Sequence, residues 1–182
     1  GLELLVIDTR AKHSLADGQY GSRRADCEES ARILGVDQLV DVIDLDEASA
    51  ALGDERLAAR TRHVVSEIAR TRAFIELLDE GPLEGTRLAV AGALLNDSHD
   101  SLRDDYEVSC EELDVAVEAA RAAGAHGARM TGGGFGGSAI ALLDAHAVEA
   151  VARAVAAAYA ERGWEPPHFI RSLPGAPAGR LG

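Results

Sequence analysis

Between residues 132 and 137 the chain places five glycines in six positions, Gly132-Gly133-Gly134-Phe135-Gly136-Gly137. Glycine loses more conformational freedom on folding than any other residue, so a plain turn between two strands does not call for five of them. Such a loop can take positive φ at several residues and bring bare backbone N–H groups up to an anion or a sugar. It is not a Walker loop, because no Lys-Ser/Thr pair follows the last glycine. Nor is it a dinucleotide fingerprint: a strand-like run, Ser138 to Leu143, follows where that motif needs a helix, and no βαβ repeat surrounds it. A tight turn that lets neighbouring helices approach explains the glycines equally well on composition, and both readings stay open.

The segments around the loop predict an α+β domain with a small antiparallel sheet covered by helices. Leu4 to Ile7 is a short continuous apolar run, expected as a strand buried on both faces. Asp17 is a candidate cap for a helix to Leu34, with Gly35 as its stop and Tyr20, Cys27, Ala31 and Leu34 on one face. Asp44 or Asp46 starts a short helix that ends at Gly53. Arg56 to Asp79 reads as a long helix with an inward stripe of Leu57, Val64, Ile68, Ile75 and Leu78. Its arginines fall on several sides, which predicts a solvated surface.

The next helix carries Leu88, Ala91, Leu95, Ser98 and Leu102. Ser109 and Glu112 then match a capping box, for a helix to Gly124. His126 to Thr131 and Ser138 to Leu143 are the strands that flank the glycines. A helix from about Ala147 to Arg162, supported by a Glu149–Arg153 pair, and an edge strand at Phe169-Ile170 follow. The expected organisation is one domain over 1–173, with a helical insertion at about 46–124 and a loosely ordered Pro/Gly-rich tail over 174–182.

Composition narrows the partners. Hydrophobic residues make up 47% of the 182, enough for a packed core, while aromatics are only 4%. The net charge of −13 repels phosphate backbones and anionic lipid, so nucleic acid and membrane surfaces are excluded as partners. Cys27 and Cys110 form no CxxC pair, which fits a reducing cytoplasmic setting. No apolar run is long enough to span a bilayer. The opening Gly1-Leu2-Glu3-Leu4-Leu5 has no basic start and reads as a strand entered partway through a protein.

The glycine loop and its flanks resemble the third conserved motif of the GHMP small-molecule kinases, and three stretches narrow the resemblance to galactokinases. Leu5-Val6-Ile7-Asp8-Thr9 is followed by Lys12-His13-Ser14-Leu15, Gln19-Tyr20, Arg23-Arg24 and Cys27-Glu28-Glu29. Asn96-Asp97-Ser98-His99-Asp100-Ser101-Leu102-Arg103-Asp104-Asp105-Tyr106 runs on to Ser109-Cys110. Ala128-Arg129-Met130 leads directly into Thr131 and the glycines. All stand in family order and cover most of the chain.

The resemblance implies the α+β C-terminal domain of a GHMP kinase, with the active site in a cleft shared with an N-terminal half. It also implies transfer of the γ-phosphate of ATP to the C1 hydroxyl of α-D-galactose, with magnesium. The family tyrosine that lines the sugar site matches Tyr20, and the third motif, near the substrate and phosphate path, matches Gly132, Gly133, Gly134, Gly136 and Gly137. Where the family often has cysteine after the glycines, this chain has Ser138. Phosphoryl transfer also needs a phosphate-neutralising loop, a metal and a carboxylate to orient the hydroxyl. The family carries these upstream, and no Pro-x-Gly-x-Gly-x-Ser-Ser loop occurs here. No catalytic residue or metal ligand is therefore assigned, and the chain alone is expected to be inactive, with its exposed half-cleft free to self-associate. The alternatives are a non-catalytic sugar-sensing module and another GHMP kinase.

The remaining polar residues have plainer readings. Ser98, His99 and Arg103 either support the glycine loop or lie on a helix surface, and His99 is assigned to the surface. One of Asp104 and Asp105 is expected to be solvated and the other paired, because adjacent helical residues diverge by roughly 100°. No histidine has a partner at metal-ligand spacing.

Overall fold

The computed structural model describes residues 1–11, 16–172 and 175, and its four strands form one antiparallel sheet in the order β2-β3-β1-β4. The strands are β1 (Leu2–Asp8), β2 (Gly127–Thr131), β3 (Ser138–Asp144) and β4 (His168–Ser172). The helices are α1 (Ala16–Leu34), α2 (Leu45–Leu52), α3 (Glu55–Asp79), α4 (Gly85–Asp104), α5 (Glu111–Ala122) and α6 (Val148–Ala160). This is the α+β architecture with a small antiparallel sheet that the sequence predicts. The expected tail lies outside the described residues, apart from residue 175, and so does the Lys12–Leu15 stretch.

Strand β1 buries alternate residues rather than a continuous run. Leu5 and Ile7 point with Met130, Ala141 and Leu143 into the main core, which α5 and α6 close with Leu113, Val117, Val151 and Tyr159. Leu2 and Leu4 point to the other face, where Leu142 meets Leu77 of α3 and Ala91 of α4. A period of two serves both faces because helices cover each of them. The stretch expected as an insertion thus divides in space: α5 joins α6 against one face, and α3 and α4 cover part of the other.

Helix α4 reaches β2 closely because neither element has a side chain at the crossing. A Cβ on Gly92 would lie 1.9 Å from the carbonyl oxygen of His126, and one on Gly127 would lie 2.4 Å from that of Gly92. Helix α2 is capped as expected, with the Asp44 carboxylate accepting from Asp46 and Glu47 and Gly53 left-handed at its end. Other local expectations fail. Helix α1 starts at Ala16, so Asp17 falls inside it. Cys110, not Ser109, occupies the N-cap of α5, and Ser109 instead donates to Asp114 at 2.5 Å. No Glu149–Arg153 pair forms among the described residues.

The α3 stripe also departs from expectation. Leu57 is buried, but Ile75 and Leu78 are half exposed, while Arg60, Thr61 and His63 are buried. The arginines of this helix are not simply solvated, since Arg60 is 2% exposed and Arg62 and Arg70 are paired.

Candidate functional site

The glycine loop joins β2 to β3 at one end of the sheet, with positive φ at Gly132, Gly134, Phe135, Gly136 and Gly137. Its glycines serve two different purposes. A Cβ on Gly134 would lie 2.2 Å from the carbonyl oxygen of Val108, and one on Gly136 would lie 2.9 Å from that of Ala11. The loop is fastened along that rim: the N–H of Phe135 donates to Val108, and Thr9 donates to the carbonyl of Gly137 through both its N–H and its hydroxyl. On the other rim Gly132 and Gly133 are exposed, with nothing within 4 Å of an added Cβ. Their N–H groups have no acceptor among the described residues. Such exposed, uncommitted backbone donors suit a phosphate or a sugar oxygen.

Arginines hold the segment between α4 and α5 against the loop. Arg23 of α1 donates to the carbonyls of Tyr106 and Glu107, at 2.6 and 2.8 Å, and its guanidinium sits 5.9 Å from the centre of the Phe135 ring. Arg60 of α3 donates to the carbonyl of Asp105 and, at 2.5 Å, to the carboxylate of Glu107. Arg62 donates to Asp105, which also accepts from Ser101. Asp105 is thus paired, while Asp104 is exposed and bound to Arg103. The arginines keep Glu107 in a left-handed backbone conformation, which costs a non-glycine residue about 1–2 kcal/mol.

Tyr20 stands in the first turns of α1 and is 66% exposed, so it does not share the buried face of Ala31 as expected. Asp26 and Ser30 take that face instead. Tyr20 is near Tyr106: burial first, then the Cys27 thiol and Tyr20, push the Tyr106 phenol up to about 12. Tyr106 in turn stacks on His63, with ring centres 4.4 Å apart. Tyr20 and the glycine loop are therefore linked through α1, by way of Arg23 and the 106–108 segment. No hydrogen bond joins them directly among the described residues.

His99 corrects the surface reading, and Ser98, which the sequence left open, is buried as well. His99 is fully buried, its Nδ1 accepting from the N–H of Met130 at 3.2 Å. Ser98 donates to Glu67 at 2.6 Å. Burial raises the Glu67 carboxyl, but Ser98, Arg70 and Arg129 outweigh it and leave the net shift downward. A helix periodicity that counts only apolar residues passes over His99. The signal that was available is the regular spacing of Ala91, Leu95, Ser98 and Leu102, which places Ser98 on the inward face and His99 beside it. Among the described residues no three His, Cys, Asp or Glu side chains come together to hold a metal, and no helix is long and apolar enough to cross a membrane.

Residues 72–161 match the family described as GHMP kinases C terminal. Over 184 aligned residues the chain is 50% identical to the galactokinase of Streptomyces coelicolor, covering 100% of this chain and 46% of that protein. It is 48% identical over 149 residues to the galactokinase of Homo sapiens, covering 80% of this chain and 36% of the relative. The crystal structure of Lactococcus lactis galactokinase complexed with galactose superposes with a TM-score of 0.88 at 35% identity, over 99% of this chain and 47% of that one. The chain therefore spans about half the length of the relatives it matches. With its sheet topology, its matching segment and its relatives in agreement, this chain belongs to the GHMP kinases and carries their C-terminal domain.

Proposed function

We propose that this chain is the C-terminal portion of a galactokinase, and that the complete protein transfers the γ-phosphate of ATP to the C1 hydroxyl of α-D-galactose. The observation that carries this reading is the whole-chain likeness to a galactokinase whose structure was determined with galactose. In the reading, Tyr20 presents its exposed phenol to the sugar, and the free N–H groups of Gly132 and Gly133, on the same wall of a cleft shared with the other half of the complete protein, meet sugar or phosphate oxygens. Bound ATP with magnesium supplies the phosphoryl group and the charge neutralisation it needs. In the same reading, the magnesium ligands belong to the half that the relatives possess beyond this match.

The part these residues play is to bind and orient. A hydroxyl held near the phosphoryl group by fixed donors needs less reorganisation to reach the reactive geometry. The catalytic carboxylate and phosphate loop are assigned to the half that the relatives possess beyond this match. The half-buried thiols of Cys27 and Cys110 fit a cytoplasmic setting. Self-association of the isolated chain would run through the exposed half-cleft.

The deciding experiment is an assay of the complete protein with ATP and magnesium against galactose, homoserine and mevalonate. Galactose-dependent ADP formation is expected. Turnover of homoserine or mevalonate but not galactose would overturn the substrate assignment. Tight ATP binding by the isolated chain in calorimetry would overturn the division of labour.

A further inference from the structure

Strand β2 is an edge strand, paired with β3 on one side only, so the N–H groups on its free side need acceptors from elsewhere. Helix α4 supplies them. The glycine crossing at Gly92 and Gly127 brings the helix within reach. One and two turns further on, Asn96 Oδ1 accepts from the N–H of Ala128 at 3.0 Å and His99 Nδ1 accepts from that of Met130 at 3.2 Å. Side chains three apart on a helix share a face, and alternate strand residues point the same way, so the two spacings agree. Arg121 completes the edge by donating to the carbonyl of Ala128 at 3.0 Å.

The His99 bond fixes a tautomer. Nδ1 can accept only when it carries no proton, which leaves the proton on Nε2. That nitrogen lies 3.3 Å from Asp114 Oδ1, off the line of a good hydrogen bond, and the same oxygen accepts from Ser109 at 2.5 Å. The ring is fully buried, so water cannot replace Met130 as its partner. Met130 stands two residues before Gly132, where the open rim of the loop begins.

We propose that His99 is a positioning residue for the glycine loop: as the Nε2–H tautomer it holds the N–H of Met130 and so fixes where Gly132 and Gly133 meet a ligand. The other anchors of the loop, at Val108 and Thr9, hold its far rim and its exit; at its start, Met130 and Thr131 pair with β3 on one side, and His99 takes the Met130 N–H on the free side. The function rests on the galactokinase reading above; the hydrogen bond and its tautomer do not.

The test uses the complete protein with His99→Phe, which keeps a buried ring but has no acceptor, and His99→Asn, whose Oδ1 stands near the place of Nδ1. For His99→Phe the expected results are faster hydrogen exchange at the Met130 amide by at least about tenfold and a fall in kcat of about 10- to 100-fold, with KM for ATP within about threefold. His99→Asn is expected to restore Met130 protection and most of kcat. Unchanged Met130 exchange in His99→Phe, or equal losses in both variants, would overturn the proposal. If His99→Phe does not fold, the ¹⁵N shifts of His99 in the unaltered protein decide, and a protonated Nδ1 overturns it. Absence of galactose turnover in the unaltered protein would sink the galactokinase reading instead, while the exchange measurement would still decide the anchor.

Discussion

The backbone N–H of Phe135 donates to the carbonyl oxygen of Val108 at 2.7 Å, and Gly134 beside it has no room for a Cβ against the same carbonyl. The tip of the glycine loop is therefore pressed onto the segment that follows α4. This contact separates glycines needed for folding from a glycine with no such need.

Gly134→Ala and Gly133→Ala are expected to behave oppositely. At Gly134 the substitution combines φ of +85° with a contact at 2.2 Å, and should cost at least about 2 kcal/mol in thermal or urea unfolding. At Gly133 φ is not in the left-handed region and the space is open, so stability should hold or rise by about 0.4–1 kcal/mol. If the open rim meets a ligand, Gly133→Ala should nevertheless reduce galactose phosphorylation by the complete protein. Full activity in a stable Gly133→Ala variant would remove that rim from the site.

Tyr20→Phe tests the tyrosine part of the same proposed wall. An exposed phenol with no hydrogen bond among the described residues contributes little to folding, so unfolding should shift by no more than about 0.5 kcal/mol. The KM for galactose should rise several-fold with KM for ATP unchanged, as steady-state kinetics would show.

Arg60→Leu probes the arginine clasp. Removing this buried guanidinium leaves the Asp105 carbonyl without its donor and Asp26, 3.6 Å away, without its nearest buried cation. Glu107 is largely exposed and regains water, so the expected loss is about 2–3 kcal/mol, read from urea denaturation.

His63 makes stability depend on pH. Burial against Tyr106 holds its pKa at about 4, below the ordinary 6.5. Above pH 6.5 both folded and unfolded forms are neutral at this position and nothing is lost. As pH falls below 6.5 the unfolded chain takes up the proton first, so stability drops until about pH 4, by as much as about 3 kcal/mol. A variant with His63→Phe should show a flatter stability profile between pH 6.5 and 4 than the unaltered protein.

The helix ends and strand runs were legible where local chemistry decides them, as with Asp44 and Gly53 bounding α2. The burial of α3 was not, because the helix changes partners along its length. Its first half meets α1, α2 and the 105–107 carbonyls, which require donors such as Arg60. Its second half meets α4 through Phe74 and Leu77, leaving Ile75 and Leu78 on the outer side. His99 escaped for a related reason: the need it meets belongs to an edge strand some thirty residues away. The glycine loop could be located from its composition alone, but the different duties of its glycines depend on Val108 and Ala11, which only the fold brings alongside.

Position 133 is the one glycine of the hairpin that neither a dihedral requirement nor a neighbouring atom obliges to be glycine. Drift constrained by folding alone would scatter alanine, serine and asparagine there among related sequences. A glycine retained at that place through divergent lineages would then be an imprint of selection by whatever molecule touches it.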